Sequence, residues 1–68
     1  MSKERILLQI ESYINKIRSD YQNNIITGFQ YELLYRELSN LIKNSDNTDV
    51  IITASKLDML KTVYIIMK

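Results

Sequence analysis

A chain of 68 residues with no proline, and with Gly28 as its one glycine, contains almost nothing that interrupts a helix. Two polar clusters take the place of breakers, Gln22-Asn23-Asn24 and Asn44-Ser45-Asp46-Asn47-Thr48-Asp49. Between them lie three segments whose apolar residues recur at helical spacing, about residues 3–21, 28–44 and 54–68. The expected fold is therefore all-α, a small three-helix bundle forming one domain.

In the first segment Ile6, Ile10, Tyr13, Ile14, Ile17 and Tyr21 advance by steps of three and four, with one adjacent pair. At about 100° per residue they fall on one stripe, with Leu7 at its edge and Leu8 pointing away. Ser2 is placed to cap this helix, and Glu4 suits the positive end of its dipole. The second segment has the clearest start. Thr27 and Gln30 form a capping-box pattern, and Ile26 before the cap pairs with Tyr31 as a hydrophobic staple. Tyr31, Leu34, Tyr35, Leu38, Leu41 and Ile42 then make a stripe roughly 120° wide. Phe29 and Leu33 fall outside it, as a secondary contact surface or as cover for the preceding joint.

The third segment departs from this pattern. Thr53 is the expected cap, and Leu57, Leu60, Tyr64 and Met67 are the expected core residues. Met59, Val63 and Ile66 widen the apolar arc to roughly 180°, and Ile65 lies on a further face. Either this helix is central, or it carries a surface for a partner or for a second copy. Met59, Val63, Ile65 and Ile66, with Phe29 and Leu33, are the candidate protein-interaction residues. The β-branched run Asp49-Val50-Ile51-Ile52-Thr53 allows a strand paired with Asn24-Ile25-Ile26-Thr27, but an isolated two-stranded ribbon is marginal. Each Ile-Ile pair is read instead as a staple at a helix start. The two starts, Ile25-Ile26-Thr27-Gly28 and Ile51-Ile52-Thr53-Ala54, resemble each other, and shared capping physics accounts for that.

Composition narrows the chemistry. Cys and His are both absent, which removes disulfides and the usual zinc and copper ligands. A domain this small buries a thin core, so oligomerisation or docking on a partner is the compensation left. Only carboxylates, Lys, Tyr and hydroxyls remain for catalysis, and one glycine cannot build a phosphate loop, so no enzymatic activity and no cofactor are expected. The cluster from Asn44 to Asp49 fails as a calcium loop, because Asp49 stands where glycine is required and Ser55 where the closing acid belongs. Nine basic residues against eight acidic ones leave a formal charge of +1, with the signs interspersed. That balance argues against nucleic acid as partner, whose phosphates demand concentrated positive charge. The alternative of a nucleic-acid-binding dimer would rest on Lys56, Lys61, Arg36 and Lys43. No apolar run approaches the roughly 18 residues of a membrane span, and Met1-Ser2-Lys3-Glu4-Arg5 leads into only three apolar residues, so a cytoplasmic location without a signal peptide is expected.

Ile10-Glu11 in the first segment precedes Tyr35-Arg36-Glu37-Leu38-Ser39 in the second by about two dozen residues. In this pattern residues 6 to 44 resemble the short two-helix aspartyl-phosphate phosphatases that act on sporulation response regulators, which carry Ile-Glu and then Ser-Gln-Glu-Leu-Asp. Glu37 and Leu38 match; Ser39 stands at the family's functional aspartate and Tyr35 at its serine. The resemblance thus implies docking on a signalling protein without phosphatase chemistry. The expected function is a non-enzymatic protein-binding module, a small regulator or inhibitor of bacterial or phage type that also self-associates, or a purely structural oligomer.

Overall fold

The structure is a computed structural model and describes residues 3–68. Three helices, α1 (Lys3–Gln22), α2 (Gly28–Lys43) and α3 (Val50–Met67), pack against one another, and the described residues contain no strand. The cap expected at Ser2 lies outside the described residues. Helix α1 packs most extensively on α2 and least on α3. The molecule measures 34 × 18 × 16 Å, and its long dimension is close to the ~30 Å of a 20-residue helix.

Successive helices run antiparallel. Gln30 at the start of α2 donates its side-chain amide to the Met67 carbonyl at the end of α3, 3.3 Å away. Arg18 near the end of α1 donates to the Tyr31 hydroxyl at 3.3 Å. Lys3 pairs with Asp46 in the second joint.

The joints follow from local chemistry. Helix α1 ends in a Schellman motif: the Ile25 N–H reaches the Asp20 carbonyl at 2.8 Å, and the Asn24 N–H reaches that of Tyr21 at 3.1 Å. Asn24 supplies the left-handed residue, with φ 62°. Asparagine tolerates that region better than most side chains, so the turn forms without glycine. Helix α2 starts as its sequence predicts. Thr27 accepts from the Gln30 N–H, and Gln30 reaches back to the Thr27 N–H. Ile26 is buried, and Tyr31 packs against the same cluster, which closes the staple.

Helix α3 starts earlier than expected. Its cap is Asp49, whose carboxylate accepts from the Ile51 N–H at 2.8 Å. Thr53 sits inside the helix, buried, its hydroxyl donating to the Asp49 carbonyl at 3.2 Å. Aspartate caps at least as well as threonine, and starting there lets Val50 and Thr53 face the core. The run Val50-Ile51-Ile52-Thr53 is therefore neither strand nor staple but the first turn of α3, with Ile51 and Ile52 exposed.

The core follows the expected stripes closely. Ile6, Ile10, Ile14 and Ile17 of α1 meet Leu34 and Leu38 of α2, Leu57 and Tyr64 of α3, and Ile26. Each buried aliphatic side chain contributes about 1.5–3 kcal/mol relative to exposure. Tyr21 and Tyr35, expected on the core stripes, are instead 43% and 41% exposed. They lie at the stripe edges, where their rings meet Tyr31 rather than entering the core. Tyr21 stacks on Tyr31 with centroids 5.0 Å apart, and Tyr31 meets Tyr35 at 5.8 Å.

Candidate protein-interaction surface

The outer face of α3 follows from which of its residues the bundle uses. Thr53, Leu57 and Tyr64 are buried, and Val50, Ala54, Leu60, Lys61 and Met67 are half-buried around them. Every other residue of the helix is exposed. Two neighbours cover about half of α3, so its further apolar residues stand in solvent, Met59 at 67% and Ile66 at 79% exposure. Val63 is exposed as well. At about 100° per residue, Ile52, Met59, Val63 and Ile66 lie within roughly 60° of one another, on one stripe along the helix.

Helix α2 extends this stripe sideways. Met59, Leu60 and Val63 line one wall of a groove of about 390 Å³, and Glu37, Asn40, Leu41 and Asn44 line the other. Phe29 and Leu33 project from the same side of α2 as Glu37 and Asn40, one to three turns earlier. The Gln30–Met67 hydrogen bond sets that end of α2 beside the end of α3. Phe29 and Leu33, both exposed, thereby lie at the Val63–Ile66 end of that face. Five of the six candidate residues thus share one face. Ile65 does not. It is exposed about 100° around the helix from Ile66, toward the α1 side, where Lys61 lies over the Tyr13 ring at 5.6 Å.

Of the basic residues considered for nucleic acid, Arg36 and Lys43 share the exposed side of α2, and Lys61 stands apart from Lys56. Lys56 lines the α2–α3 groove, and Lys61 lines a different recess with Arg5, Ser12, Tyr13 and Lys16 of α1. Arg36 lies on the exposed side of α2, and Lys43 closes that helix. The residues of the phosphatase-like pattern also diverge. Glu37 faces the α2–α3 groove, Tyr35 lies beside Tyr21 and Tyr31, and Ser39 is half-buried.

One polar cluster was not anticipated from the sequence. Asp20 is only 8% exposed and accepts a hydrogen bond from the buried Tyr64 hydroxyl. Lys16, one turn before it, approaches the same carboxylate oxygen at 3.3 Å. The Tyr64 hydroxyl, aided by Lys16 against the opposing effect of burial, holds the Asp20 carboxyl below its ordinary value. Burial and the Asp20 carboxylate push the Tyr64 hydroxyl well above its own. Lys16 and Lys68 lie over the Tyr64 ring at 5.5 and 5.4 Å, and Tyr13 meets it edge-on at 5.9 Å. The cluster ties the end of α1 to the end of α3, and every buried side-chain polar atom in the described residues has a partner. Its signal was spacing, because Asp20 continues the Tyr13–Ile17 step by three residues onto the stripe edge.

Among the described residues no group of three or more His, Cys, Asp or Glu side chains comes together to hold a metal ion. No described helix is long and apolar enough to cross a membrane. No protein-family model, curated protein or solved structure matches this chain.

Proposed function

We propose that this chain is a non-enzymatic protein-binding module that docks a helix of another protein chain on the face formed by α3 and the edge of α2. The observation that carries the reading is the exposure of Met59, Val63 and Ile66 beside Phe29 and Leu33. The bundle itself is closed, since its surface of 4770 Å² is near the ~4,500 Å² expected for a folded chain of this mass. Its exposed apolar residues therefore do not come from splayed helices. Contiguous apolar surface beyond a few hundred Å² marks interaction sites in soluble proteins. The near-neutral charge of +1 and the separation of Lys61 from Lys56 support a protein partner over nucleic acid.

The test is the double substitution Met59→Glu with Ile66→Glu. Both positions are solvent-facing and glutamate is a good helix former, so far-UV circular dichroism should keep the wild-type helicity. Association through the face should be lost. If the double variant unfolds, these residues belong to the core and the reading fails. If it folds and associates as the wild type does, the face is not the docking surface.

A further inference from the structure

The apolar stripe on α3 has an internal symmetry. Ile52, Met59 and Ile66 are spaced seven residues apart, two helical turns in each direction from Met59. Reversing the helix about Met59 brings Ile52 onto Ile66 and Met59 onto itself. A surface with that property is complementary to its own copy, as a two-fold interface requires. We infer that the outer face of α3 is covered by a second copy of this chain, the two α3 helices packing antiparallel about a two-fold axis at Met59. The inference rests on the docking reading above and names its occupant.

The flanks of the stripe agree with the same arrangement. Residues on one flank of an antiparallel pair face the same flank of the other helix. Lys56 and Val63 share the flank toward α2, so the Lys56 stem lies along Val63 of the second copy. Ser55 and Thr62 share the opposite flank and face each other across the pair, hydroxyl to hydroxyl. The two Lys56 positions stay about 9 Å apart along the helix axes, and each has its own Glu37 lining the adjacent groove. No like charges are brought into contact. The Gln30–Met67 hydrogen bond places Phe29 and Leu33 at the Ile66 end of the stripe, the end at which Ile52 of the second copy lies.

The area is sufficient. The exposed parts of Phe29, Leu33, Ile52, Met59, Val63 and Ile66 amount to on the order of 600 Å² of side-chain surface. Two such faces together reach the lower edge, about 1,200 Å², of the range for specific and stable interfaces. A parallel pairing would leave Ile52 of the second copy at the end away from Phe29 and Leu33, so the antiparallel register is favoured.

The absence of native cysteine makes the register directly readable. Full-length chain is studied by light scattering from about 1 µM to about 1 mM, a range spanning weak to moderate dimers. Twice the chain mass is expected at the upper end, and Met59→Glu should raise the dissociation constant by at least about 100-fold, because the substitution occurs twice at the interface centre. Three single-cysteine variants are then incubated with oxidised glutathione. Met59→Cys should cross-link to itself. Ile52→Cys and Ile66→Cys should each fail to do so alone and should cross-link when mixed. Self-linking of Ile52→Cys overturns the antiparallel register, and a monomer at every concentration overturns the second copy. A monomer that captures another protein only while Met59 and Ile66 are intact leaves the docking reading standing. A monomer without face-dependent binding removes both.

Discussion

Asp20 and Tyr64 are 44 positions apart and are joined by a buried hydrogen bond. A carboxylate under the surface is tolerated only when hydrogen-bonded, and here a tyrosine hydroxyl and a lysine supply the partners. Its linkage to pH has two sides. Asp20 is held below its ordinary value of 3.8, so its stabilising contribution is complete above that pH and is lost as the pH falls through the depressed value. Tyr64 is raised above 10.0, so the unfolded chain releases that proton first, and stability declines as the pH rises beyond about 10. Thermal melts across pH should show a plateau between these limits with a fall on either side. In Tyr64→Phe the alkaline fall should weaken, and the midpoint at neutral pH should drop by about 5 °C, the effect of one lost hydrogen bond in a domain this small. An unchanged alkaline limb in the variant would mean that Tyr64 does not govern it.

At the scale of the element, two nearly identical segments adopt different structures. Ile25-Ile26-Thr27 precedes a helix and Ile51-Ile52-Thr53 begins one, because Asp49 offers a better cap four residues ahead of Thr53. In the first copy the preceding turn at Asn24 fixes the chain outside the helix, which leaves Thr27 as cap. Asp49→Ala should destabilise the protein by about 1 kcal/mol. The loss should be local as well. The Thr53 amide, whose bond to the Asp49 carbonyl opens the helix at 3.0 Å, should lose hydrogen-exchange protection while Leu57 and Tyr64 keep theirs. Equal loss along all of α3 would show that the cap is not what sets this boundary.

For the whole molecule, the thin core governs behaviour. Among the described residues nine apolar side chains are buried while twelve large ones are exposed, so association would bury more. A chain of this length has a stability of about 3–10 kcal/mol. Leu38→Ala, at a fully buried site, should cost about 2–5 kcal/mol and bring the monomer near unfolding. Association would then show as linkage. The melting midpoint of the wild type should rise with protein concentration, and that of Met59→Glu should not. Equal midpoints at all concentrations in both would separate stability from the α3 face.

Local periodicity and capping chemistry were legible without the fold. The four isoleucines of α1, the Thr27–Gln30 box and both polar joints are properties of neighbouring residues, and neighbouring residues decide them. The surplus of apolar residues on α3 was equally plain, and so was Leu8 as an exposed leucine. Other features depend on where a second helix comes to rest. Tyr21 and Tyr35 sit on their helices much as Tyr13 and Tyr31 do, yet stand further out because the neighbouring helix passes to one side. Asp20 reads as a solvent residue until Tyr64 arrives from the far end of the chain. Met59, Val63 and Ile66 join Phe29 and Leu33, and Ile65 does not, only because α2 lies along one flank of α3 and α1 along the other. Sequence determines which faces of each helix are apolar through a fixed rotation per residue. Which of those faces are covered is a matter of how three helices share one small core, and that is decided only when they meet.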